Sequence, residues 1–139
     1  MEKTRHQSLS KDQTEILALI ERWSAAVRKE DRAAIRRDHD ADMLMFDVPP
    51  PFLSRGLKAY MATWEPFFSM AGKPVAFDFH DIEITAGEDV AFATATGSCV
   101  YFDRERTRQP LQFRLTMGLR KIDGSWRVMH EHHSVPAED

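Results

Sequence analysis

Three imidazoles and a carboxylate fall on consecutive positions near the end of the chain, His130, Glu131, His132 and His133, and they account for half of its six histidines. The surrounding run, Trp126-Arg127-Val128-Met129-His130-Glu131-His132-His133-Ser134, follows Asp123-Gly124 and reads as a strand leaving a tight turn. Side chains alternate across an extended strand, so Trp126, Val128, His130, His132 and Ser134 share one face, and Arg127, Met129, Glu131 and His133 the other. Glu131 beside His133 suits proton transfer, because a neighbouring carboxylate raises an imidazole pKa and holds the ring in one orientation. His130 beside His132 could instead begin a metal site. Two histidines on one strand give no defined spacing for further ligands, so no metal is expected. A bulge between Trp126 and Glu131 would exchange the two faces.

Other elements must hold this strand. Ile16, Leu17, Ile20, Trp23 and Val27 recur at helical spacing behind Ser10, which predicts an amphipathic helix over about residues 11–29. Asp31 can cap a short helix from Arg32 to Asp38, and Met43 to Val48 reads as a strand stopped by Pro49, Pro50 and Pro51. Leu57, Tyr60, Met61, Trp64 and Phe68 predict one helix over about 57–69. Residues 75–85, 89–102, 110–122 and 125–135 read as four strands of a meander. Helices first and long strands after them predict an α+β fold: one cone-shaped domain, its core at about 12–135, with a curved antiparallel sheet over the N-terminal helices and a central cavity.

Composition narrows the functions. The chain has 139 residues, enough to bury roughly two-thirds of its unfolded surface. A formal charge of −3 gives no broad attraction to nucleic acid or anionic membrane. One cysteine, Cys99, excludes an intrachain disulfide, the first residues lack the apolar core of a signal peptide, and no apolar run reaches the roughly 18 residues of a membrane span. A cytoplasmic protein is expected. Cys99 reads as a small buried hydrophobe, and no phosphate loop, nucleophile or redox motif calls for a cofactor.

The order of these elements, Phe46-Asp47-Val48-Pro49-Pro50-Pro51 ahead of Gly56, and the ending Asp123-Gly124-Ser125-Trp126 through His130, His132 and Ser134 resemble the nuclear transport factor 2-like superfamily, within it the ketosteroid isomerase-related, SnoaL-like group. The resemblance makes Asp47 the counterpart of an isomerase's general base, though Asp47 could equally cap the turn into the prolines. It places Trp23 and Met117 where ketosteroid isomerases have a Tyr and a protonated Asp, so the usual oxyanion hole is not kept. It also turns Met129, Glu131 and His133 toward the cavity, with Phe113, Leu115 and Met117 lining it from the next strand. Trp23, Tyr60 and Trp64 are core or lining.

The implied activity is a cofactor-free isomerase or cyclase acting on a small apolar carbonyl compound, with Asp47 as base, His133 as acid and Glu131 as its orienting partner. The alternative is a noncatalytic ligand-binding or oligomerisation domain, as in the association domain of calcium/calmodulin-dependent kinase. Either way a homodimer is expected through the outer sheet face, where Arg114, Arg120, Trp126, His130 and His132 would lie.

Overall fold

Ser10 starts the first helix, α1 (Lys11–Arg28), through a reciprocal cap: its hydroxyl accepts from the Gln13 N–H at 3.0 Å, and the Gln13 side chain accepts from the Ser10 N–H at 2.9 Å. The computed structural model describes residues 8–137. Ile16, Leu19, Ile20, Trp23 and Val27 form the buried stripe of α1. Asp31 caps α2 (Arg32–Arg37) by accepting from the Ala34 N–H, and β1 (His39–Phe46) follows directly.

Two residues after the prolines, Ser54–Arg55, form a short β2. The single helix expected over 57–69 is two, α3 (Leu57–Ala62) and α4 (Trp64–Ala71). Pro66 explains the break, since it has no N–H to offer the Ala62 carbonyl and its ring crowds that oxygen. Thr63 takes up the turn, its N–H and hydroxyl both donating to the Tyr60 carbonyl.

Four long strands complete the chain, β3 (Phe77–Ala86), β4 (Val90–Phe102), β5 (Arg108–Ile122) and β6 (Ser125–Ser134). Asp123 and Gly124 both have positive φ, 52° and 81°, as a two-residue hairpin turn requires. The sheet is six-stranded in the order β2-β1-β6-β5-β4-β3, antiparallel except where β1 lies parallel to β6.

Facing residues on β4 and β5 are matched in size. Ala91, Ala93, Ala95 and Gly97 stand opposite Leu119, Met117, Leu115 and Phe113, so a small-residue row on one strand makes room for a large-residue row on the next. Gly97 is the tightest point, because a Cβ there would lie 2.3 Å from the Phe113 ring. Gly97→Ala is expected to cost about 1–3 kcal/mol in urea denaturation through overpacking. A loss under about 0.5 kcal/mol would mean that the ring moves aside freely.

The last strand carries an irregularity that the alternation did not include. Gly118 pairs with His130 and Leu119 with Val128, leaving Met129 as an extra residue without a partner. Trp126 and Val128 point inward before the bulge, and Glu131 and His133 point inward after it. Trp126, expected on the outer face, is therefore 5% exposed, with its indole N–H donating to Asp12 at 3.0 Å. Met129, expected to line the interior, is only half-buried and stands outside the apolar cluster because it is the bulged residue.

Candidate active site

Two parallel strands and one helix bring the polar groups together. On β1 and β6, Met45 pairs with Glu131 and Phe46 with His132, so Asp47, the next residue, comes level with His133. The start of β1 contributes His39, and α3 contributes Tyr60. Glu131, His39 and Tyr60 are each at 0% exposure, and Asp47 and His133 are only partly buried.

Glu131 is the hub. Its Oε2 accepts from the Tyr60 hydroxyl at 2.8 Å and is also hydrogen-bonded to His39 Nε2. Its Oε1 lies 2.9 Å from His133 Nε2. An ionised carboxylate only accepts, so both imidazole nitrogens facing it carry protons. The other nitrogen of His133, Nδ1, faces Asp47 Oδ1 at 3.8 Å, an electrostatic distance rather than a hydrogen bond. Exposure rises outward along this row, from none at Glu131 to 10% at the His133 side chain and 24% at that of Asp47. Asp47 Oδ1 also accepts from the Val48 N–H at 2.8 Å, so turn-capping and facing His133 are done by one carboxylate.

Burial alone would drive Glu131 toward its protonated form; the attraction of His39 and the hydrogen bonds from His133 and His39 outweigh it and hold the carboxyl down at about 2. For His133, burial pushes the pKa down, and the Glu131 bond and charge with the charge of Asp47 more than reverse this, leaving it above the ordinary 6.5. Tyr60 is held well above the usual phenol range by burial first, and then by the charge and hydrogen bond of Glu131. It is a donor, not a base.

Aromatic rings pack the space around the row. His133 stacks on Phe113 with ring centroids 5.7 Å apart and 13° between planes, and meets the edge of Trp23 at 6.4 Å. Leu115 and Met117 on β5 stand opposite His133 and Glu131, so the position resembling an isomerase's second acid is an apolar neighbour of a carboxylate one strand away. Trp23 and Trp64 are buried, and their indole N–H groups have no hydrogen-bond partner among the described residues. An open cleft of about 200 Å³ lined by Ala76, Ser98, Cys99, Val100, Pro110, Leu111 and Gln112 includes none of the row. Among the described residues no three His, Cys, Asp or Glu side chains are grouped to hold a metal ion. Burial, with a smaller contribution from the Asp47 charge, keeps the Cys99 thiol protonated, up at about 11.

On the other side of the strand, His130 Nδ1 donates to the Leu44 carbonyl on β1 at 2.7 Å, and Arg114 donates to the Ser134 hydroxyl. His130 and His132 both pack edgewise on Phe46. His39 was missed by sequence reasoning. Alternation along β1 does not reveal it, because Ala41 is exposed and the register shifts between His39 and Leu44.

Comparison with known proteins agrees with this architecture. The chain is similar to a nuclear transport factor 2-like protein of unknown function from Pseudomonas putida, with 34% identity over 93% of this chain and 90% of that one and a TM-score of 0.81. It also shares its fold with a ketosteroid isomerase-like protein from Erwinia carotovora (17% identity, 92% and 100% of the chains, TM-score 0.76). A third is a nuclear transport factor 2-like protein with a cystatin-like fold from Novosphingobium aromaticivorans (17%, 93% and 84%, TM-score 0.79). No curated protein matches the sequence. Residues 16–138 match the SnoaL-like domain, and the chain belongs to that family, within the nuclear transport factor 2-like superfamily. The α+β fold with an unclosed six-stranded sheet is the one its neighbours share. None of its helices is long and apolar enough to cross a membrane, among the described residues.

Proposed function

We propose that this protein is a cofactor-free enzyme that moves a proton on a small, mostly apolar carbonyl compound. The observation that carries the reading is His133, held at Nε2 by a buried carboxylate while its Nδ1 faces the more exposed carboxylate of Asp47. Asp47 takes a proton from the carbon beside the carbonyl, and the electron pair of that C–H bond passes into the enolate. His133 Nδ1–H returns a proton to another carbon, and transfer from Asp47 to His133 resets the pair. Glu131 keeps the imidazolium oriented, and the unpartnered Trp23 N–H can donate to the enolate oxygen.

The test is deuterium uptake from solvent into a panel of small ketones, followed by proton NMR. The protein should accelerate uptake for at least one compound, and Asp47→Asn should abolish the acceleration while leaving the fold unchanged. Uptake at the buffer rate across the panel, with no compound moving the His133 ring resonances, would overturn the reading.

A second reading, an assembly module working through the outer sheet face, is favoured by Val90 and Phe92, which stand 58% and 51% exposed on β4. On this reading two copies pair through that face. Light scattering should then give the mass of a dimer, and Phe92→Lys that of a monomer; a monomeric wild type would end it.

A further inference from the structure

A histidine buried only to fill the core is expected to have both ring nitrogens satisfied. His39 does not. It is 0% exposed, its Nε2 is committed to Glu131, and its Nδ1 has no partner among the described residues. Its ring stacks on Tyr60, with centroids 4.6 Å apart, and both side chains converge on the same carboxylate oxygen, Oε2. Oε1 is left for His133 alone.

We infer that His39 is a positioning residue for the proposed proton transfer: with Tyr60 it occupies Glu131 Oε2, keeps the carboxylate ionised and aimed, and so holds the Nε2–H of His133 on Oε1 and leaves Nδ1, where the working proton is gained and lost, turned to Asp47. This rests on the acid-base reading above. The titratable groups around the hub are His39 from β1, Tyr60 from α3, His133 from β6 and Asp47 just beyond β1. Leu115 and Met117 of β5 are apolar. Trp23 and Trp64 of α1 and α4 bear only indole N–H groups, which slightly favour the ionised phenol of Tyr60. Without His39, Oε2 keeps one donor and the carboxylate loses its strongest electrostatic partner. Burial then favours protonation of Glu131, and a protonated Glu131 would donate to His133 Nε2, moving the imidazole proton to Nδ1.

The experiment compares His39→Gln with His39→Leu by ring ¹⁵N shifts of His133 and carboxyl ¹³C titration of Glu131. Glutamine can still donate to Oε2, so at a pH above the titration of His133 its neutral ring should remain in the Nε2–H form as in wild type. Leucine cannot, so the carboxyl should bind its proton at least about tenfold more tightly, and His133 should become a mixture of tautomers. A packing role predicts that the two variants behave alike, and His133 shifts in His39→Leu equal to wild type would overturn the inference. If the leucine variant does not fold, Tyr60→Phe keeps the stacked ring and removes one donor. The Glu131 titration should then move upward too, and an unmoved one would overturn the inference. Ketone exchange separates the two proposals. Responsive His133 shifts with no exchange by the wild type would remove the enzyme and leave the positioning intact, and exchange with unresponsive shifts would do the reverse.

Discussion

Glu131→Ala is expected to lower the free energy of unfolding by about 3–5 kcal/mol, the cost of breaking a buried charged network by removing one member. Three donors lose their acceptor at once, from His39, Tyr60 and His133, and none can reach bulk water from a site that is 0% exposed at Glu131. Glu131→Gln keeps the volume and one acceptor oxygen, and should cost less. Urea denaturation measures both, and a loss under about 1.5 kcal/mol for alanine would mean that the network contributes little net stability. The pH dependence has a definite sign. The folded pKa of Glu131 is depressed, so its contribution is present above the ordinary 4.5 and is lost as pH falls through about 2. The folded pKa of His133 is raised, so its contribution is full below the ordinary 6.5 and is lost as pH rises through the folded value. The Tm gap between wild type and Glu131→Gln should therefore be widest between 4.5 and 6.5.

His133→Gln is expected to lower ketone exchange by about 10²- to 10⁴-fold, the usual contribution of one acid-base group. Glutamine can still donate to Glu131 Oε1, so the fold should hold, but it cannot carry a proton to and from Asp47. An accompanying pH effect identifies the group. His133 acts as an acid only while protonated, so kcat/KM should decline on the alkaline side through a pKa above 6.5. In Glu131→Gln that decline should move to lower pH, because the Glu131 bond and charge that raise the imidazole pKa are gone. An alkaline limb identical in the two proteins would assign the acid elsewhere.

Much of this was legible because it depends on local spacing. Ser10 with Gln13 announces a capped helix, Asp123-Gly124 announces a two-residue hairpin, and the four long strands fall within two residues of their expected bounds. Glu131 and His133 as same-face neighbours were legible for the same reason. What escaped depends, apart from one proline, on partners distant in the chain. The apolar spacing from Leu57 to Phe68 runs straight through the break, which Pro66 enforces by a missing donor that no periodicity registers. His39 sits between Asp38 and Asp40 and reads as part of a solvated stretch until β6 and α3 close over it. Tyr60 was readable as core by spacing, and its hydroxyl's role follows only from where Glu131 lies across the fold.

The unpaired Met129 makes β6 unequal in its tolerance of insertions and deletions. Removing Met129 itself would restore simple alternation from Val128 through His130 to Glu131, with Trp126, Val128, Glu131 and His133 all still inward. Removing His130 would do the same with Met129 in its place, whereas removing His132 would either keep the bulge and turn His133 outward or close the bulge and turn Glu131 outward. Length variation among related chains should therefore collect at this one point of the strand, where it leaves the chemistry unchanged.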